Sequence, residues 1–196
     1  MLLGRCLTLG MLFANLVLTA GAQSSAPVAA PAPPPLVGSL ARQPNWPAAK
    51  NPSDVDTVDH LLASIYDVIS GPAGKPRDWD RFRSLFLPDG RLGVIRAEHN
   101  GDAAFLSPAM YVERDDPYFK SHGFFERGIA NRVEEFGNLV HVWSTYESRH
   151  AANDAQPFAR GVNSIQLVHA RGRFWVASIL WDEERPGVTL PAKYIK

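Results

Sequence analysis

From Val55 onward the chain switches between two hydrophobic spacings, one of three to four residues and one of two. Val55, Val58, Leu61, Leu62, Ile65, Tyr66 and Ile69 recur at the period of an amphipathic helix. Ser53 and Asp56 form an S-x-x-D capping pattern ahead of it, and Ser70-Gly71-Pro72 closes it. A shorter helix follows, with Asp78 as N-cap, Trp79, Phe82, Leu85 and Phe86 on its buried side, and Asp80, Arg81 and Arg83 facing out. Leu87-Pro88-Asp89-Gly90 reads as a turn, in which Pro presets φ and Gly accepts a positive φ. A strand over 91–96 leads to a hairpin loop at His99-Asn100-Gly101-Asp102. Ser107-Pro108 starts a third helix that runs to about Asp115, is disturbed by Pro117 and ends before Gly123.

Beyond Gly123 the period becomes two. A strand over 124–134 carries Phe125, Ile129 and Val133 on one side, and Phe136-Gly137-Asn138 turns the chain. The next strand, 139–150, places Val140, Val142 and Tyr146 on one face and Leu139, His141, Trp143 and Thr145 on the other. A polar loop over 151–156, a strand over 160–169, a tight turn at Ala170-Arg171-Gly172 and a strand over 173–182 complete the pattern. Consecutive strands joined by short turns predict an antiparallel meander. The last strand is apolar twice over, with Phe174, Val176 and Leu180 on one face and Trp175, Ile179 and Trp181 on the other. Three helices cover one side of a sheet, so the expected cover for the other is a second copy, making a homodimer through the sheet.

The first 52 residues are of a different kind. Arg5 precedes a mostly apolar stretch from Leu7 to Ala20, and Ala20-Gly21-Ala22 supplies small residues for a signal peptidase. The stretch falls short of the ~20 apolar residues that span a bilayer. The expected organisation is a signal peptide over 1–22 cleaved after Ala22, a Pro/Ala-rich linker over 23–52, a domain over 53–186 and a tail over 187–196. The expected location is periplasmic or secreted, with no membrane attachment after cleavage. Eight of the sixteen prolines lie in 23–52, where they block helix and sheet alike. Trp46 is the exception in that linker and is expected to dock on the domain it leads into. The single cysteine, Cys6, leaves with the signal peptide, which removes disulfides and thiolate chemistry. The composition, 45% hydrophobic and 20% charged, provides for a core. A formal net charge of zero gives no basic face for nucleic acid.

The order helix, helix, strand pair, helix, long meander resembles the nuclear transport factor 2-like superfamily, also called SnoaL-like, in an exported bacterial branch. Trp79-Asp80-Arg81-Phe82 through Leu85-Phe86-Leu87-Pro88-Asp89-Gly90 resembles its second helix and following turn. Gly172-Arg173-Phe174-Trp175-Val176, with Ser178 and Trp181, resembles its closing strand, and Arg160 to Leu167 the strand before it. The resemblance covers Ser53 to Pro186. It implies an α+β cone, α-α-β-β-α-β-β-β-β, in which a curved antiparallel sheet wraps around the long first helix over an apolar cavity, with frequent dimerisation. It implies no single function, since such domains include isomerases, dehydratases and non-catalytic binders.

Standard catalytic motifs are absent: no G-x-S-x-G, no phosphate-binding glycine loop, no H-E-x-x-H. The six histidines show no pair at ligand spacing within one element, so no metal and no cofactor is expected. Catalytic members that the chain resembles use a carboxylate or His base beside an oxyanion donor. His141 is the candidate base and Tyr66 the candidate acid, each set against a structural reading: a strand histidine hydrogen-bonded at an interface, and a core tyrosine. Trp79, Tyr111, Asn163, Gln166 and Trp181 are the candidate ligand contacts, with Asn163 and Gln166 pointing to opposite faces of their strand. Asp182 is expected to balance Arg160 or Arg173, and Glu126-Arg127 and Glu183-Glu184-Arg185 read as surface ion pairs. The expected function is an exported domain that binds a small apolar molecule or a partner without catalysis. The alternative is a cofactor-free isomerase or dehydratase using His141 and Tyr66.

Overall fold

Thr57, rather than Ser53, begins the first helix. The computed structural model describes residues 46–96 and 102–195, and within it the Thr57 side chain accepts from the His60 N–H and opens α1 (Val58–Ile69). Pro52–Asp54 forms a separate 3-10 turn instead, because the Asp54 carboxylate is drawn onto Arg81, with Arg81 Nε 2.7 Å from Asp54 Oδ2. The expected signal segment, most of the expected linker and His99-Asn100-Gly101 of the expected hairpin loop lie outside the described residues. Among the described residues no helix is long and apolar enough to cross a membrane.

Asp78 caps α2 (Trp79–Ser84) as expected, accepting from Arg81 N at 3.0 Å. Strand β1 (Phe86–Arg96) starts at once, so Leu87 to Gly90 is not a free turn. It is an irregular stretch of β1 in which the register against the last strand shifts between Phe86 and Arg91. Gly90 is not held at positive φ; a Cβ there would sit 3.0 Å from the Leu87 carbonyl oxygen and 3.1 Å from Phe86 Cβ. Strand β2 (Asp102–Leu106) pairs back on β1, and Ser107 caps α3 (Pro108–Ser121), which continues through Pro117 for a further turn.

Four strands finish the domain: β3 (Phe125–Phe136), β4 (Leu139–Arg149), β5 (Ala159–Ala170) and β6 (Arg173–Glu183). They form the expected antiparallel meander. Arg171 at φ 54 and Gly172 at φ 73 make the two-residue left-handed turn that suits the twist of a hairpin. The full order is β2-β1-β6-β5-β4-β3, with β1 running parallel to β6. The result is a curved, unclosed mixed sheet with the helices packed on its inner face, an α+β cone. Its core joins Leu61, Leu62 and Ile65 of α1 and Phe82 of α2 to Val140, Val142, Ile165, Leu167, Val176 and Ile179 of the sheet.

Two bulges overturn the strand faces read from the sequence. In β3, Gly128 pairs with Tyr146 and Ala130 with Thr145, so Ile129 is an extra residue. Phe125 and Val133 therefore do not share a face; the inward set is Glu126 and Gly128, then Asn131 and Val133. In β6, Gln166 pairs with Ser178 and Leu167 with Val176, which leaves Ala177 over. Phe174 and Val176 before the bulge thus face inward together with Ile179 and Trp181 after it, and all four join the core or pack against it. Trp175 and Leu180 face outward.

The chain's own ends cover part of that outer face. Trp46 meets Trp175 edge-on at 5.0 Å, as the docking expectation held, and Arg171 and Arg173 flank the two rings at 4.4 and 3.6 Å. Near the C-terminus, the Tyr194 ring packs 5.5 Å from Trp143 and its carbonyl accepts from Thr145 Oγ1.

Candidate functional site

Beneath the sheet lies a cavity of about 210 Å³. Most of its wall is apolar: Phe82, Tyr111, Phe119, Phe124 and Trp181, with Ile65, Ile69, Leu92 and Ile179. One side is polar, built from Glu126 on β3, Tyr146 and Ser148 on β4, Asn163 on β5 and Glu183 on β6. Tyr118 of α3 and Phe158, both exposed, line it as well, as do Arg114 and Asp115, which pair with each other at 2.7 Å.

Glu126 is the carboxyl that sequence reading placed at the surface. Its neighbour across the ladder is Ser148, an inward position on β4, and Ser148 Oγ donates to Glu126 Oε2 at 2.8 Å. Removal from water pushes the Glu126 carboxyl up from 4.5 to about 7. The Ser148 hydrogen bond opposes that rise, and the charge of Glu183 across the cavity adds to it. Arg127, the expected surface partner, points the other way and pairs with Glu147 at 2.6 Å. Glu183 likewise turns inward; Arg185 pairs with Asp182 at 2.6 Å, and Arg160 with Glu184 at 2.8 Å. Asp182 therefore balances Arg185, not Arg160 or Arg173.

Two phenols, Tyr111 and Tyr146, line the cavity, and a third, Tyr66, lies behind Asn163. Burial raises Tyr111 and Tyr146 well above the ordinary tyrosine value, and raises Tyr66 to about 12 against the hydrogen bonds from Ser144 and Asn163. All three stay protonated at neutral pH. The Tyr146 hydroxyl is seated over Gly161, where a Cβ would lie 2.6 Å from it and 2.3 Å from the Asp182 carbonyl oxygen.

Tyr66 is buried on α1 in a network with Ser144 at 2.5 Å and Asn163 at 3.1 Å. It borders not the cavity but an open groove of about 860 Å³ between α1, β3 and the β4–β5 loop, a groove that Glu126 also borders. His141 lies on the outer face, because it alternates on β4 with Val140, Val142 and Ser144, which face inward. Its Nε2 is 3.2 Å from Ser164 Oγ and its ring stands edge-on to Trp143 at 4.9 Å. The structure does not bring His141 and Tyr66 together; the sheet separates them. Of the candidate ligand contacts, Tyr111, Asn163 and Trp181 line the cavity. Trp79 stands behind Phe82 and Phe119 and donates its indole N–H to Asp116 at 2.7 Å. Gln166 faces outward, opposite Asn163, as its spacing required. Among the described residues no group of three or more His, Cys, Asp or Glu side chains is arranged to hold a metal ion.

Neither a protein-family model nor a curated protein sequence matches the chain. Solved structures do. A protein of unknown function with a cystatin-like fold from Nostoc punctiforme is similar at TM-score 0.51 and 10% identity, over 65% of this chain and 88% of that one. A protein of unknown function from Mycobacterium tuberculosis is similar at TM-score 0.52 and 16% identity, over 70% and 80%. The beta subunit of a putative aromatic-ring-hydroxylating dioxygenase from Novosphingobium aromaticivorans is similar at 0.51 and 17%, over 65% and 87%. These likenesses show the fold: the chain has the cystatin-like, nuclear transport factor 2-like cone that its motifs resembled.

Proposed function

We propose that the cavity binds one small, largely apolar ring compound bearing an oxygen function, and that Glu126 exchanges a proton with it. The observation that carries this reading is the Glu126 carboxyl, poised near pH 7 on the polar side of a wall that is otherwise mostly aromatic and aliphatic. A general base works best when its pKa lies near the operating pH. With a ketone bound, the Glu126 carboxylate takes a proton from the carbon beside the carbonyl, and a protonated phenol such as Tyr146 stabilises the enolate oxygen. Returning the proton to the same carbon gives exchange alone; where the ring carries a C=C bond β,γ to the carbonyl, the dienolate takes the proton at the γ carbon and the C=C bond moves into conjugation, an isomerisation with no cofactor. A cavity of about 210 Å³ suits a compact ligand such as a single ring.

The test is hydrogen–deuterium exchange at the carbons beside the carbonyl of cyclohexanone, followed by NMR in D₂O. Wild-type protein should accelerate the exchange with a rate that rises through about pH 7, and Glu126→Gln should abolish the acceleration. Binding without exchange would leave a non-catalytic binder, and no binding of any small ring compound would end the cavity reading.

Two further parts of the proposal concern context. The leader supports export to the periplasm or beyond. The outer face keeps two apolar patches open, Phe105 with the half-buried Leu180 and Phe136 with Leu139 and the half-buried Val168, which support a homodimer through the sheet.

A further inference from the structure

Four polar side chains run as one chain of hydrogen bonds from the groove to the cavity. Asn131, exposed on β3, borders the groove, and Asn163, buried on β5, borders the cavity. Between them, Ser144 Oγ lies 2.6 Å from Asn131 Oδ1, Tyr66 OH lies 2.5 Å from Ser144 Oγ, and Asn163 Nδ2 lies 3.1 Å from Tyr66 OH. Ser144 and Tyr66 own one hydroxyl proton each. When Asn163 donates to Tyr66, Tyr66 must donate to Ser144, and Ser144 to Asn131. The reverse order, from an Asn131 N–H donor to the Asn163 oxygen as acceptor, satisfies the same groups. Any mixed order leaves a buried hydroxyl unpaired, at the cost of a hydrogen bond. The chain therefore has two polarities, and Asn131 Oδ1 as terminal acceptor holds the first.

Resting on the ligand cavity proposed above, we infer that Asn131 and Ser144 are positioning residues. Acting through Tyr66, they hold the Asn163 amide with its oxygen toward the ligand, so that the site selects a ring carrying a hydroxyl over one carrying only a carbonyl. The two arms of a planar amide diverge. With Nδ2 committed to Tyr66, the Oδ1 arm is the one left for the cavity, and it accepts a hydrogen bond from a ligand O–H.

Cyclohexanol and cyclohexanone match in size and differ in that proton. Wild-type protein should bind the alcohol about tenfold more tightly than the ketone, the scale of one hydrogen bond. In Ser144→Ala the Tyr66 proton turns to the Asn163 oxygen, the amide swings its N–H inward, and the preference should vanish or invert. Asn131→Asp, which can only accept, should keep the wild-type ratio. A ligand-free reading comes from the Asn163 side-chain amide in a ¹H–¹⁵N spectrum, whose Tyr66-bonded proton should move upfield in Ser144→Ala. Should that variant fail to fold, Tyr66→Phe removes the same acceptor and should move the same signal. Unmoved Asn163 signals in a folded variant would overturn the relay. Moved signals with an unchanged alcohol-to-ketone ratio would overturn the selection. Failure of both compounds to bind while the signals move would end the cavity reading and its selectivity, leaving a purely structural relay.

Discussion

Glu126 shows how much one side chain's surroundings decide. The same carboxyl in water titrates near 4.5, whereas inside the cone it titrates near 7, because burial penalises its charged form more than Ser148 compensates. The folded state thus holds the proton more tightly than the unfolded state. Its contribution to stability is fully present below about pH 4.5 and is lost as the pH rises through about 7, by up to about 3 kcal/mol. Urea denaturation across pH 4 to 8 should show that decline in the wild type. Glu126→Gln, which still accepts from Ser148, should flatten it and be the more stable protein at pH 8. A wild-type curve without the decline would mean that the carboxyl is hydrated.

At the scale of elements, two contacts hold the scaffold around the site. Arg81 of α2 reaches both Asp54 oxygens, at 2.7 and 3.0 Å, and Asp67 at the end of α1, tying the two helices together. The Arg81 guanidinium keeps the Asp54 carboxyl below its ordinary value, so this contribution is present above the usual carboxylate range and is lost as the pH falls. Arg81→Met should cost about 2 kcal/mol by chemical denaturation at pH 7, because the Asp54 charge stays largely enclosed, and less than a fully buried network would, because Asp67 is open to water. On the sheet, Gly161→Ala would force a Cβ into the Asp182 carbonyl and the Tyr146 hydroxyl. It should destabilise the domain by about 1–3 kcal/mol and displace Tyr146, read as loss of ligand binding in whatever fraction stays folded.

For the whole molecule, the question is what covers the outer face of the sheet. Trp46 seals Trp175, which is only 2% exposed although it points away from the core. Trp46→Ala should red-shift Trp175 fluorescence and cost about 1 kcal/mol. Two apolar patches remain, one at Phe105 and Leu180 and one at Phe136 and Leu139, and the proposed homodimer rests on them. Sedimentation velocity should show a dimer in the wild type and a monomer for Leu139→Glu with Leu180→Glu. A monomeric wild type would assign the cover to the chain's own ends alone.

Local patterns were enough for the helices, the caps at Asp78 and Ser107, the meander and the α+β cone fold, because periodicity, capping and turn chemistry act over a few residues. Of the five candidate contacts, Tyr111, Asn163 and Trp181 border the cavity and Trp79 and Gln166 do not, a division that local pattern did not make. What the chain alone did not disclose was Glu126 and Glu183 inside the cavity, and the separation of His141 from Tyr66. An extra residue at Ile129 and another at Ala177 each reverse the alternation of a strand, and a bulge arises from pairing with a distant neighbour, not from any pattern within the strand itself. The parallel seating of β1 on β6, and the dryness that moves a carboxyl to about 7, likewise come into being only when remote segments close on one another.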